Sequence, residues 1–188
     1  MLNQIDIKTS SNRDSKMMAN FEFGITPQFI CLECKTKWTG NSEIIFPIHI
    51  NKDVSISKAI KSSMMYKIDG YNCEHCKKIT SLKVKEEFIC TSNILMIVNK
   101  CYSSVINKKI NHAYKVDYTL LIKGFKYILS SIIIHQGSSL CYGHYYTLCK
   151  RKNDWYEIND NSFKKVPREE FLKIIKHLDA YIFFYERE

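Results

Sequence analysis

A chain of 188 residues with 45% apolar composition is long enough to bury a core of its own, which excludes a disordered tail and suits one domain with a small appended subdomain. The formal net charge of +9 raises nucleic acid as a partner, but the lysines are scattered, often inside alternating runs such as Leu121-Ile122-Lys123-Gly124-Phe125-Lys126-Tyr127, so they read as a solvated face and nucleic acid is not expected. There is no apolar signal region and no span of roughly 20 apolar residues, so neither secretion nor a membrane helix is expected. Four of the eight cysteines stand in Cys-x-x-Cys pairs, which favours metal ligation in a reducing, intracellular compartment over a disulfide framework.

Residues 1–20 are polar and rich in Ser, Asn and Lys, and are expected to be disordered or poorly ordered. A short strand-like run over 21–31 is expected to break at Pro27. Residues 43–50 read as one strand that Pro47 confines to an edge or a bulge. Ser55 caps a short amphipathic helix over 55–65, and Asp69-Gly70 reads as a turn. Beyond it nearly everything is strand-like: 82–90, 94–98, 114–122, 127–135, 144–150, 155–158 and 180–186. The exception is a helix over 168–178, opened by Pro167 and periodic at Phe171, Leu172, Ile175 and Leu178. The fold class is α+β, dominated by antiparallel strands.

Cys31-Leu32-Glu33-Cys34 and Cys73-Glu74-His75-Cys76 form two tight knuckles 38 residues apart. Each pair bites from one turn, so together Cys31, Cys34, Cys73 and Cys76 supply the four soft ligands of a tetrahedral Zn2+; the alternative is four reduced core thiols. Four sulfur ligands leave no open coordination position, so such a zinc is structural. His75 is expected to point away. Cys90, Cys101 and Cys149 read as small buried hydrophobes, and Cys141 is too close in sequence to His144 for its sulfur to meet the ring.

Cys141-Tyr142-Gly143-His144-Tyr145-Tyr146, followed by Trp155-Tyr156-Glu157-Ile158-Asn159-Asp160, reads as the base half of a cysteine-protease site. Gly143 permits close backbone approach, Tyr145-Tyr146 build a wall, and a hairpin turning at Lys152-Asn153-Asp154 would bring Asn159 beside His144 to hold its tautomer. His49, His112 and His177 lack such a context.

From about Phe21 to its C-terminus the chain resembles the ubiquitin-specific proteases, the papain-like deubiquitinases. The resemblance rests on features in order: the two knuckles; Leu95-Met96-Ile97-Val98 with Lys109 and Tyr114 beyond; Tyr127-Ile128-Leu129-Ser130-Ser131-Ile132-Ile133-Ile134-His135-Gln136-Gly137; Gly143-His144-Tyr145-Tyr146; Trp155-Tyr156-Glu157-Ile158-Asn159-Asp160; and Ala180-Tyr181-Ile182-Phe183-Phe184-Tyr185-Glu186-Arg187. It implies one domain over 21–188, with four-cysteine zinc-ribbon fingers over about 28–95 and a papain-like palm of mainly antiparallel strands over about 96–188. It implies His144 as general base, Asn159 as its orienter and Asp160 as a support near the oxyanion. His135, Gln136 and Gly137, in a mobile loop with Ser138-Ser139, would contact the ubiquitin tail, and Gly143 and Tyr145 would line the channel for its diglycine end. The reaction implied is hydrolysis of an isopeptide or peptide bond after that tail through an acyl-thioester, with ubiquitin or a ubiquitinated protein as partner.

Two departures qualify the resemblance. Cys101-Tyr102 stands where the family usually has Arg-Phe. The Gly-Asn-x-Cys box and helical thumb that open the family's domain do not occur in these 188 residues. The chain is therefore expected to be the C-terminal part of an active enzyme whose cysteine lies elsewhere, or a truncated, inactive paralogue that binds ubiquitin or a partner. On its own it is expected not to hydrolyse ubiquitin conjugates.

Overall fold

The computed structural model describes residues 18–45, 47–50, 54–100, 102–103, 108–109, 115–139, 142–176 and 180–188. Residues 1–17, where disorder was the expectation, lie outside them, as do Cys101, His112, Tyr114, Cys141, His177 and Leu178. After a 3-10 turn at Met18–Asn20 come β1 (Phe23–Cys31), β2 (Lys37–Thr39), β3 (Glu43–Ile45), β4 (Ile48–Ile50) and helix α1 (Ile56–Ser63). The chain continues through β5 (Met65–Asn72), β6 (Ile79–Phe88), β7 (Ile94–Asn99), β8 (Tyr102–Ser103), β9 (Lys108–Lys109), β10 (Thr119–Ile122) and β11 (Phe125–Gln136). It closes with β12 (His144–Arg151), β13 (Asp154–Asn159), β14 (Ser162–Val166), helix α2 (Arg168–Lys176) and β15 (Ala180–Arg187).

Two main sheets result. A five-stranded sheet runs β2-β1-β6-β5 with β3 also paired to β1, and an eight-stranded sheet runs β14-β13-β12-β11-β15-β7-β4 with β10 also paired to β11. Among the described residues all pairings between strands of these two sheets are antiparallel except β4 with β7. The α+β, mainly antiparallel expectation therefore holds.

Pro27 does not break β1. Its carbonyl accepts from Gly40 N at 2.9 Å, so its backbone polar groups face the flank that β2 and β3 share. The missing N–H falls in the gap between those two strands and removes no ladder bond. Pro47, by contrast, does more than demote a strand. The run expected over 43–50 is two strands in two different sheets, β3 pairing with β1 and β4 with β7, and Pro47 stands where the chain crosses over.

Ser55 caps α1 as expected, its hydroxyl accepting from Lys58 N at 3.4 Å. The Asp117 carboxylate accepts from Ser57 N at 2.8 Å in the same first turn. The main core lies against the eight-stranded sheet: Ile56, Ala59 and Ile60 of α1 and Phe171 and Ile175 of α2 join Leu95, Ile97, Tyr127, Leu129, Ile132, Ile134, Phe183 and Tyr185. Phe23 and Ile25 carry the base of β1 into it. Burial pushes the Tyr185 phenol far above its ordinary value, and its hydroxyl donates to Asp117 O at 2.7 Å. A second, smaller core holds Cys31, Cys73, Leu82 and Val84, with Phe29, Trp38 and Tyr71 packed around it.

Candidate functional site

The candidate site is built on β11, β12 and β13. Gln136 pairs with His144 and His135 with Tyr145 across β11 and β12, and Thr147 pairs with Ile158 across β12 and β13. One further step along the second register sets Asn159 beside Tyr146. Because side chains alternate with period 2, His144 and Asn159 then lie diagonally on one face. The hairpin turns at Lys152-Asn153 with Lys152 at φ 55°, as the sequence suggested. α2 supports β13 from beneath, where Trp155 stacks on Phe171 with ring centroids 4.1 Å apart.

His144 Nε2 lies 2.6 Å from Asn159 Oδ1. A carbonyl oxygen only accepts, so Nε2 carries the proton and Nδ1 presents its lone pair away from Asn159. A half-buried ring fixed in that tautomer can take a proton at Nδ1. Asp160 makes no such bond: its carboxylate stands 4.0 Å from Nε2 and its side chain is 78% exposed. It occupies the β13–β14 turn at φ 49°, a left-handed position that Asp tolerates better than most residues.

Gln136 and Gly143 are exposed, Gly137 is half-buried and Tyr145 is 49% exposed. Tyr145 faces His135, ring centroids 4.3 Å apart. His135, read from the sequence as part of a mobile loop, is instead 1% exposed at the end of β11. Alternation hides this, because Ile132 and Ile134 take the core-facing positions of this stretch, and His135, out of phase with them, falls on the opposite face. The β11–β12 register runs unshifted through Ile134 and His135, and the extra residue where β11 shifts against β15, Tyr181, lies on β15. The strand thus keeps its alternation, and His135 is covered on its own face, where the Tyr145 ring packs on it.

The second constellation is at the far end of the five-stranded sheet. Pairing of β1 with β6 places the first knuckle beside the second, where Leu32 N donates to Ser81 O at 2.9 Å. The knuckles repeat one backbone geometry. Lys35 N donates to Cys31 O and Lys77 N to Cys73 O, at 3.0 and 2.8 Å, with both lysines left-handed at φ 62° and 57°. Glu33 and Lys78 tie one knuckle to the other at 2.9 Å.

The four sulfurs lie within 4.8 Å of one another. A tetrahedral ion with metal–sulfur bonds of ~2.3 Å holds its sulfurs about 3.8 Å apart, and Cys34 Sγ and Cys73 Sγ are 3.9 Å apart. The donor set fits a metal ion. Contact with Thr36 lowers the Cys34 thiol to about 6, and the Cys34 backbone lowers Cys31. Burial raises Cys76 to about 11, a preference that a cation among the sulfurs would reverse. His75 is exposed and lies outside the cluster. Of the other described cysteines, Cys149 is buried as expected, whereas Cys90 is exposed. The Cys90 sulfur accepts from Gly24 N at 2.9 Å and fills the space a side chain at Gly24 would need.

The family described as ubiquitin carboxyl-terminal hydrolase matches residues 1–185. The chain belongs to that family. Ubiquitin carboxyl-terminal hydrolase 25 of Arabidopsis thaliana is 27% identical over 192 residues, a match covering 94% of this chain and 28% of the relative. Ubiquitin carboxyl-terminal hydrolase 9 of Saccharomyces cerevisiae is 25% identical, with 95% and 27% covered. The chain thus spans little more than a quarter of the length of these two relatives. Among solved structures, the SAGA DUB module of Ubp8, Sgf11, Sus1 and Sgf73 bound to monoubiquitin shares the fold, with a TM-score of 0.78 over 99% of this chain and 45% of that chain, at 17% identity. Among its described residues the chain has no helix long and apolar enough to cross a membrane.

Proposed function

We propose that the chain is the C-terminal part of a ubiquitin-specific cysteine protease, acting inside the cell on isopeptide or peptide bonds that follow the C-terminus of ubiquitin. The observation that carries the proposal is the 2.6 Å contact between His144 Nε2 and Asn159 Oδ1 in a chain of this family. His144 is the general base through Nδ1, Asn159 holds its tautomer, and Asp160 supports the site near the oxyanion. The nucleophilic cysteine comes from polypeptide outside these 188 residues. His144 takes its proton, the thiolate attacks the scissile carbonyl, and the proton passes to the departing amine, leaving an acyl-thioester for water to cleave.

The eight-stranded sheet with α1 and α2 serves as the palm and the five-stranded sheet as the fingers. Gln136, Gly137, Gly143 and Tyr145 guide the ubiquitin tail. Zn2+ held by Cys31, Cys34, Cys73 and Cys76 is structural. A second reading is a palm and fingers that hold ubiquitin without cleaving it.

Titrating ubiquitin into the isotope-labelled chain should shift resonances of Gln136, Gly137, Tyr145 and the finger strands; a flat titration overturns both readings. A ubiquitin-based electrophilic probe should leave the chain unlabelled. Paired with the cysteine-bearing portion of a relative, the chain should restore hydrolysis, and His144→Ala should then lower the rate roughly a hundred- to ten-thousand-fold. Binding without restored hydrolysis selects the second reading.

A further inference from the structure

His135 is a buried polar side chain that the proposed chemistry does not use. It ends β11 with 1% of its surface exposed, and in the β11–β12 register it is paired with Tyr145, the residue after His144. Its ring lies against the ring of Tyr145 at a centroid distance of 4.3 Å and an interplanar angle of 34°, and Tyr145 in turn approaches Tyr181 at 6.2 Å.

The opposite edge of the imidazole meets two glycines. A β-carbon added at Gly143 would collide with His135 Nε2 and lie 2.7 Å from its Cε1 and 2.6 Å from Gln136 O. One added at Gly137 would collide with Tyr142 O and lie 3.1 Å from His135 Cε1 and 2.9 Å from the Gly143 α-carbon. The ring therefore occupies side-chain space that both glycines leave vacant, and the backbones at 137 and 143 close on each other over its edge. His144 follows directly from Gly143. Its ring must reach Asn159 within 2.6 Å, and in an interior packed to crystal-like density a vacated ring volume is felt by its neighbours.

We propose that His135 is a positioning residue for His144: the flat ring is the post on which Gly137, Gly143 and Tyr145 rest, and it fixes where β12 begins and hence the His144–Asn159 contact. This rests on the deubiquitinase reading only in making His144 the base; the packing relation stands without it. The volume and flatness of the ring carry the role.

The test observes His144 itself in the metal-loaded full chain, by the 15N signals of its imidazole. In the unaltered chain these should show the wide separation of a ring with Nε2 protonated and Nδ1 bare, and a nuclear Overhauser contact should join the His135 ring to the Gly143 α-protons. His135→Ala should collapse the separation toward an average of two tautomers while finger amides near Cys31 and Cys73 stay in place. His135→Phe, which restores a flat ring, should recover it. A folded His135→Ala chain with the His144 separation intact overturns the proposal, as does a folded His135→Phe chain that has lost it. If neither variant folds, the Overhauser contact decides, its absence counting against. No step of this readout needs catalysis, so its failure is distinct from a flat ubiquitin titration.

Discussion

At the scale of single residues, distance and exposure separate Asn159 from Asp160 although they are neighbours in sequence. Asn159 accepts a hydrogen bond at 2.6 Å, while the exposed carboxylate of Asp160 sits 4.0 Å from the same nitrogen. An exposed charge pair at that range is worth up to about 1 kcal/mol, roughly a fivefold effect. Asn159→Ala should thus abolish the single-tautomer state of His144, read from its ring nitrogens, while Asp160→Asn leaves it in place. In an active assembly Asn159→Ala should cost far more rate than Asp160→Asn. Asn159 was legible because hairpin spacing fixes which residues meet. His135 was not, because it lies out of phase with the core-facing Ile132 and Ile134 and is buried from the opposite face, where Tyr145 packs on it.

Among the elements, α1 shows how a short helix is stabilised from a distance. Eight residues are too few to be stable alone, and its first turn receives both the Ser55 hydroxyl and the Asp117 carboxylate. Asp117→Ala removes a cap and a favourable charge at the helix N-terminus, with an expected loss of about 1–2 kcal/mol. A melting experiment should show this as a fall of a few degrees; an unchanged melting temperature would count against a capping role. The helices and the strands β6, β7, β11, β12, β13 and β15 were legible from apolar runs, periodicity and caps. β5 and β14 were not, because their side chains are almost wholly exposed and a strand without an inward face writes no alternation. β5 even runs through Asp69-Gly70, read as a turn, by way of a register shift between Ile68 and Tyr71.

Across the whole molecule the two sheets are held by different means. The smaller core has only Leu82 and Val84 as fully buried aliphatics, together about 3–6 kcal/mol, against an ordering cost of roughly 1–2 kcal/mol per residue. A zinc–thiolate site supplies on the order of 10 kcal/mol, enough to decide the balance. Chelation should therefore raise amide exchange across β1, β2, β5 and β6 near the knuckles while β7, β11 and β15 remain protected; uniform loosening of both sheets would refute this division. Acid should act alike. The Cys34 thiol, ordinarily at 9.0, stands at about 6 in the fold, so its thiolate contributes stability that is complete above about pH 9 and lost as pH falls through about 6. Metal release, followed with a zinc-sensitive dye, should accompany acidification as well, because the four sulfurs hold a metal only as thiolates.

The crossing at Pro47 has a consequence for assembly. The chain leaves the five-stranded sheet at Ile45, lays down β4 and α1 against the main core, and returns at Met65. β1 therefore meets β6 only after the intervening loop has been closed, with Phe29 opposite Val84. Neighbours so distant in sequence form late and slowly, since loop closure precedes any gain from their contact. No single cut in the chain separates one sheet from the other. The sheet that carries the four clustered cysteines is in this sense not an appendage that recombination could add or remove whole, but a section threaded through the same continuous strand order as the site it accompanies.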